Sequence, residues 1–194
     1  MTFRSEICYI DHVSEENEMF VLNTLKFETV LRNTKRDFEE LMRVYKNFGL
    51  VKSKKQLSED LSGLMETNLE RYYGGTAPKS DKDPDFILED GTAIEIKCTS
   101  TENWRGGTFS KRAGEYVLVT WELNESNELL MFVCGTYLEE SDWAGSGSEN
   151  YYATSMTKKS LYDMVSQDRV TVYLGDISEG NRRNTIKILR KSFA

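Results

Sequence analysis

The sequence predicts an α/β fold in which a mixed central β-sheet is flanked by helices in a three-layer α/β/α arrangement. Three observations predict it: helical apolar periodicity over residues 14–73, two short apolar strands joined by a glycine turn over 85–97, and a strand–strand–helix–strand series over 116–174. The chain has 194 residues, 39% of them apolar, and two prolines. This composition predicts one domain over residues 1–194, with a helical part at about 14–73 and an α/β core at about 57–176.

Two helical regions are predicted in the N-terminal part. Residues 14–47 are helix-rich, with a broad apolar stripe and Ser14 in the N-cap region. A second helix runs from about Lys55 to Tyr73 and is ended by Gly74. Its predicted buried stripe consists of five apolar residues: Leu57, Leu61, Leu64, Met65 and Leu69. Its polar side carries three glutamates: Glu59, Glu66 and Glu70.

A β-hairpin is predicted from Asp85 to Lys97, and its register depends on the turn. A two-residue Asp90-Gly91 loop would place Asp85 opposite Ile96, whereas a three-residue loop from Glu89 to Gly91 places Asp85 opposite Glu95. We predict the three-residue loop, because Gly91 suits the left-handed position that closes a bulged hairpin. Four apolar residues then share one face: Phe86, Leu88, Ile94 and Ile96.

The remaining elements are predicted from apolar runs and polar breaks. Strands are expected at Tyr116–Glu122 and Leu129–Tyr137, a helix near Lys158–Val165 and a strand near Val170–Leu174. Two loops are expected, over residues 98–112 and 139–157. The basic tail from Arg182 fits either a helix or a strand at a sheet edge.

Three charged residues stand on the other face of the predicted hairpin: Asp85, Glu95 and Lys97. An unpaired charge at a position built for burial costs several kcal/mol. A cluster of such charges therefore indicates a functional site. Mg²⁺ accepts one or two carboxylates from a protein and keeps several waters, which suits Asp85 and Glu95. Lys97 is then placed to hold or polarise the attacking water in phosphodiester hydrolysis.

The order Pro84-Asp85, nine residues, then Glu95-Ile96-Lys97 resembles the signature of the PD-(D/E)XK nucleases, and most closely the type II restriction endonucleases. The resemblance covers roughly residues 57–123 and continues more faintly to about 176. It implies a restriction-endonuclease-like core and Mg²⁺-dependent cleavage of double-stranded DNA at a short specific sequence. It also implies metal ligation at Asp85, Glu95 and Ile96, with a helix glutamate completing the site. Glu66 is the candidate for that glutamate, and Glu70 is held in reserve.

Two-fold symmetric cleavage of a short palindrome implies a homodimer. The resemblance further implies a companion DNA methyltransferase that acts on the same site without a stable complex. Two other readings stay open: a repair or junction-resolving nuclease of the same superfamily, and a nuclease-like domain that binds DNA without cutting it.

DNA contacts are expected from the two predicted loops, because a metal site contacts phosphates and phosphates carry no sequence information. Aromatic, amide and basic side chains there suit stacking, base-edge recognition and phosphate binding. The candidates are Trp104, Arg105, Lys111, Arg112, Asn150 and Tyr151.

Net charge opposes DNA binding on average, because 32 acidic residues outnumber 25 basic ones. Local basic blocks are therefore needed, and the block at 105–112 is the one assigned to DNA; those at 52–55 and 158–159 are interpreted as solvated surface. The sequence shows no signal peptide and no apolar run of membrane-spanning length, so we expect a cytoplasmic protein.

Overall fold

The computed structural model describes residues 22–78, 83–101, 103–105, 113–148, 151–180 and 183–188. Its helices are α1 Thr24–Asn47, α2 Lys54–Tyr73 and α3 Lys158–Val165. Its strands are β1 Phe86–Ile87, β2 Ala93–Thr99, β3 Asn103–Arg105, β4 Gly114–Leu123, β5 Leu129–Leu138, β6 Ala144–Ser148, β7 Tyr151–Thr157, β8 Val170–Leu174, β9 Asp176–Gly180 and β10 Arg183–Lys187.

Helix α1 begins after Asn23, whose side chain accepts a hydrogen bond from the amide of Lys26. This cap satisfies one of the amides that the first helical turn leaves without a partner. The helix ends at Asn47, as the sequence predicts. The predicted N-cap at Ser14 lies outside the described residues.

Helix α2 begins one residue before its predicted start because Ser53 forms a capping box with Gln56. Gly74 follows its last residue, as predicted. Four of the five apolar residues in the predicted stripe are buried, and Leu64 is partly buried against the same core. Asn68 joins them and donates from its amide to Asp37 on α1.

The central sheet has five strands in the order β1-β2-β4-β5-β8. Strands β2 and β4 pair in parallel, and the other three pairings are antiparallel. The predicted mixed α/β class with a mixed central sheet is therefore confirmed. In the register of β2 and β4, Glu95 lies beside Tyr116 and Lys97 beside Leu118. Because side chains alternate along a strand, these four residues share one face of the sheet.

The two faces of the sheet are covered differently. Helices α1 and α2 cover one face, where Phe27, Leu61 and Ile96 belong to one buried cluster. On the other face a second cluster joins Tyr116 and Leu161, and in it residues of β4 and β5 pack against α3 and against strands outside the central sheet. The sequence predicts a layer of helices on this face as well. Among the described residues, that layer instead consists of one short helix and two small sheets.

Both predicted loops contain strands. Strand β3 lies within residues 98–112, and the β6–β7 hairpin occupies most of 139–157. These strands form a three-stranded sheet in the order β3-β7-β6. The loop predictions were wrong because backbone pairing and the burial of Trp104 and Met156 outweigh the turn preference of the local glycines and serines.

The later elements agree with the sequence. Strands β4, β5 and β8 and helix α3 lie where they are predicted, and the basic tail forms β10 in its described part. Within the described residues, no helix combines the length and the apolarity that a membrane crossing requires.

Candidate active site

The β1–β2 hairpin has the predicted register. Phe86 pairs with Ile94, so the ladder continues to place Asp85 opposite Glu95. The turn contains the three residues 89–91: the Leu88 amide donates to the Thr92 carbonyl at 2.9 Å, and Gly91 has a φ of 89°. A left-handed residue here is what a bulged three-residue turn requires, so this prediction is confirmed.

Asp85, Glu95 and Lys97 form a connected cluster. Lys97 Nζ donates to Glu95 Oε2 at 2.7 Å and to Asp85 Oδ2 at 3.1 Å. The same Asp85 oxygen accepts the Ile96 amide at 2.8 Å. The side chains of Asp85, Glu95 and Lys97 are 32%, 13% and 22% exposed. The cluster is therefore mostly buried, and part of it remains accessible to solvent.

Helix α2 fixes the position of Asp85 through the segment that follows it. Thr76 and Ile87 exchange two backbone hydrogen bonds, each 2.9 Å long. Gly75 adopts a φ of 96°, and a Cβ atom there would collide with the carbonyl oxygen of Ile87. Only glycine therefore lets the end of α2 approach β1 closely enough to form this bridge.

The surroundings of the cluster raise the pKa values of both Lys97 and Glu95. Burial alone would lower the pKa of Lys97, but Asp85 and Glu95 together raise it above its ordinary value. Burial raises the pKa of Glu95, the ammonium of Lys97 lowers it, and the net direction is upward. The ammonium of Lys97 thus offsets part of the negative charge of the two carboxylates.

Helix α2 brings Glu66 to this cluster. Burial raises the pKa of Glu66, and the nearby charge of Asp85 raises it further, whereas Ser62 and Lys97 act in the opposite direction. The Ser62 hydroxyl donates to Glu66 Oε1 at 3.2 Å. Glu70, the reserve candidate, is exposed one turn further along the helix. Of the two glutamates, Glu66 is thus the one whose charge interacts with Asp85.

Three further residues surround the cluster and escaped the sequence analysis. Ser62 orients Glu66, and its i, i+4 spacing from Glu66 was the available signal. Tyr116 is buried beside Glu95, where burial followed by the charge of Glu95 raises its pKa to about 12. Cys98 faces the helix side of the sheet, and burial raises the pKa of its thiol.

The structure removes Trp104 from the expected DNA contacts. Its side chain is 1% exposed, and its indole nitrogen donates to the Val119 carbonyl at 3.1 Å. A buried indole with a satisfied N–H serves the core rather than a ligand. Arg105, the next residue, is exposed. Lys111, Arg112 and Asn150 lie outside the described residues, and only the backbone of Tyr151 is described, as the first residue of β7.

The donor set suits a cation with few protein ligands. Within the described ranges, no group of three or more His, Cys, Asp or Glu side chains is arranged to hold a metal ion. Two carboxylates do converge on one cation, since Lys97 bridges Asp85 and Glu95. Mg²⁺ takes one or two carboxylates and retains waters, so this pair fits it. Ile96 has an aliphatic side chain and would contribute only its backbone carbonyl.

No protein-family model matches the chain. A comparison with curated proteins also returned no match. The functional argument therefore rests on the geometry of the charged cluster.

Proposed function

We propose that the chain is a Mg²⁺-dependent endonuclease that hydrolyses phosphodiester bonds of double-stranded DNA at a short specific sequence, as a type II restriction enzyme does. One observation carries this proposal: Asp85, Glu95 and Lys97 converge within hydrogen-bonding distance on one half-buried face. A structural ion pair needs one acid and one base, whereas this cluster keeps a second carboxylate in a partly desolvated place. Such an arrangement is typical of a site that binds a cation.

Each residue has a defined task in this proposal. Asp85 and Glu95 would hold Mg²⁺, which would supply a Lewis acid that stabilises the charge developing on the phosphate. Lys97 would hydrogen-bond the attacking water and orient it towards phosphorus. The new bond joins the water oxygen to phosphorus, and the bond to the 3′ oxygen breaks. The attacking water would release one proton to solvent and the leaving 3′ oxygen would take one up, so the products are a 5′-phosphate and a 3′-hydroxyl. No covalent intermediate with the protein is needed.

Glu66 would act from the helix side of the cluster. Its charge interacts with Asp85 and Lys97, and Ser62 fixes one of its oxygens. A carboxylate in this place adds negative charge near the metal-binding pair, which raises affinity for a cation. Removing Glu66 should therefore affect cleavage less than removing Asp85 or Glu95.

The proposal extends to the assembly and its setting. Cleavage of both strands at a palindrome fits a two-fold homodimer. The restriction function would be paired with a DNA methyltransferase of the same specificity, acting in the cytoplasm. Among the loop residues predicted to contact DNA, Arg105 would do so from β3, where its side chain is exposed next to the buried Trp104.

A plasmid-nicking assay tests the proposal directly. Purified protein with supercoiled plasmid should convert it to open-circular or linear DNA with Mg²⁺ and should leave it intact with EDTA. Lys97→Ala should lose most of this activity. Lys159→Ala is the matched control, because Lys159 is also paired with a carboxylate, Asp163, but lies on the exposed side of α3. Equal nicking by wild type and Lys97→Ala would refute the assigned chemistry.

A further inference from the structure

The turn between α1 and α2 presents a row of apolar side chains to solvent. Four residues are exposed there: Val44 by 39%, Phe48 by 76%, Leu50 by 54% and Val51 by 95%. Single exposed apolar residues are ordinary, but four exposed apolar residues within eight positions of one turn form a candidate interaction surface. We call residues 44–55 the helical tip.

The backbone of the helical tip is held firmly on both sides. The amides of Gly49 and Leu50 donate to the carbonyls of Lys46 and Tyr45, at 3.1 and 2.8 Å. These two hydrogen bonds cap the end of α1, and the capping box at Ser53, four residues after Gly49, begins α2. The apolar side chains are therefore displayed by a preorganised turn, which lowers the entropy lost when a partner binds.

The tip is basic in an acidic protein. The chain carries a formal net charge of −7, yet residues 41–58 contain no Asp or Glu. The same stretch contains five cations: Arg43, Lys46, Lys52, Lys54 and Lys55. Arg43 and Lys55 reach Glu40 and Glu59 just outside this stretch, and Lys46, Lys52 and Lys54 add to its positive charge. Such a local reversal of charge is complementary to a polyanion.

Helix α2 links the tip to the charged cluster. Lys54 is its first residue, and Glu66, whose charge interacts with Asp85, stands twelve positions later. At about 1.5 Å per residue, the two lie roughly 18 Å apart along the helix axis. One DNA strand spans this distance in about five nucleotides, at roughly 3.4 Å each. A duplex that is engaged at the cluster and runs along α2 would therefore be long enough to reach the tip.

We propose that the helical tip is a second DNA-contact surface, at which Lys52, Lys54 and Lys55 bind phosphates while Phe48 and Val51 press against the base edges of the minor groove. Apolar side chains of this kind enter minor grooves and unstack base steps in other DNA-binding proteins. The inference rests on the proposed function, because it takes DNA as the occupant. It also reassigns the basic block at 52–55, which the sequence alone assigned to solvated surface.

Two variants separate the two kinds of contact. Lys52→Gln/Lys54→Gln/Lys55→Gln should weaken binding to a random-sequence duplex about tenfold or more at moderate salt, and should flatten the slope of log affinity against log salt by about two to three units. Phe48→Ser/Val51→Ser should keep most of that slope but lose the fluorescence increase of 2-aminopurine placed in the duplex. Both are measured in EDTA, by anisotropy and by 2-aminopurine emission, so that no cleavage occurs.

Two controls match these variants. Leu25→Ser removes a leucine that is 78% exposed at the other end of α1, and Lys159→Gln removes an exposed lysine of α3. Both should bind the duplex as wild type does. Thermal unfolding of every variant checks that the fold is kept, which is expected because the replaced side chains are largely exposed.

The outcomes distinguish this inference from the proposed function. Wild-type affinity and slope in both tip variants would overturn the inference, even if the wild type nicks plasmid with Mg²⁺. Tip-dependent binding without Mg²⁺-dependent nicking would support the inference and contradict the proposed function. Tip-dependent co-sedimentation with phosphatidylserine vesicles, with duplex binding unaffected by the tip variants, would overturn it in favour of a membrane surface.

Discussion

Lys97 is the residue on which the charged cluster depends in the metal-free protein. It bridges two carboxylates that lie on one face of a hairpin and would otherwise repel each other. Asp85 also accepts the Ile96 amide, so the ion pair and the backbone of β2 share one oxygen. Loss of the ammonium would remove a charged donor that Asp85 and Glu95 share and leave the repulsion between the two carboxylates uncompensated.

We therefore predict that Lys97→Ala destabilises the metal-free protein by about 1–3 kcal/mol at neutral pH, because two carboxylates lose a charged hydrogen-bond donor that they share. Because the carboxylates raise the pKa of Lys97, this stabilisation is fully present below the ordinary lysine value of 10.5 and disappears as pH rises above it. Urea unfolding in EDTA measures the effect. Added Mg²⁺ should restore part of the loss, since a cation that binds only the folded state stabilises it.

Lys159→Ala again serves as the control for the loss of an ion-paired lysine. Its partner Asp163 is 52% exposed, and exposed pairs contribute little to stability. A loss in Lys97→Ala no greater than in this control would show that the cluster adds nothing to the fold.

At the same scale, the sequence predicted the charged cluster but not every neighbour. The sequence reveals Asp85, Glu95 and Lys97 because charged residues within apolar strands stand out in the local sequence alone. Trp104 was misassigned because a tryptophan beside glycines and arginines reads the same in a loop as in a short strand. Its burial depends on contact with Val119 of β4, which no local pattern reveals.

At the scale of elements, the bridge between the end of α2 and β1 controls where Asp85 stands. Gly75 and Gly91 both have positive φ, but their surroundings differ. A Cβ at position 75 meets the backbone of Ile87, whereas one at position 91 meets nothing within 4 Å.

We predict that Gly91→Ala costs about 1–2 kcal/mol, the cost of a left-handed backbone for an L-residue. Gly75→Ala should cost more, because the clash with Ile87 adds to the same backbone cost, and it should also displace Asp85. Denaturant unfolding and plasmid nicking measure the two effects. Retention of full nicking activity in Gly75→Ala would mean that the bridge does not position Asp85.

The elements that the sequence predicted well share one property. The β1–β2 register, the bounds of α3 and the end of α2 each follow from local signals such as a glycine turn or a helix cap. The β6–β7 hairpin was missed because β6 alternates glycine and serine and carries no apolar pattern. Its strand state comes from pairing with β7, which is a tertiary effect.

At the scale of the whole molecule, burial shifts the pKa of three glutamates in the same direction. Burial raises the pKa of Glu66, Glu95 and Glu115. Glu115, on β4, pairs with Ile94 and therefore lies on the opposite face of the sheet from Glu95, and its Oε2 is buried without a hydrogen-bond partner. A raised pKa in the folded state means that stability falls as pH rises from the ordinary value of 4.5 through the folded value.

Glu115→Gln should therefore stabilise the protein at neutral pH, by roughly 1–3 °C in Tm for a domain of this size. The gain should vanish below about pH 4.5, where the glutamate is protonated in both states. Thermal unfolding across a pH series measures it, with exposed Glu122→Gln on the same strand as control. A pH-independent gain, or an equal gain in the control, would contradict burial of the charge as its cause.

The overall class was predictable from the sequence, but the covering of the second sheet face was not. Periodicity of the apolar residues identifies helices and strands and therefore a layered α/β fold. Which element covers which face depends on pairings such as β3 with β7, between residues far apart in sequence.

The compactness of the hairpin has a consequence for the order in which the protein assembles. Asp85, Glu95 and Lys97 fall within thirteen consecutive residues, whereas β5 must wait for β8, more than thirty residues later. Local hairpins form within microseconds, and distant pairings carry a larger loop-closure cost. We therefore expect the three charges to meet before the surrounding core closes, while water still surrounds them and their desolvation cost is low. A core that closes around an ion pair already formed dehydrates no isolated charge.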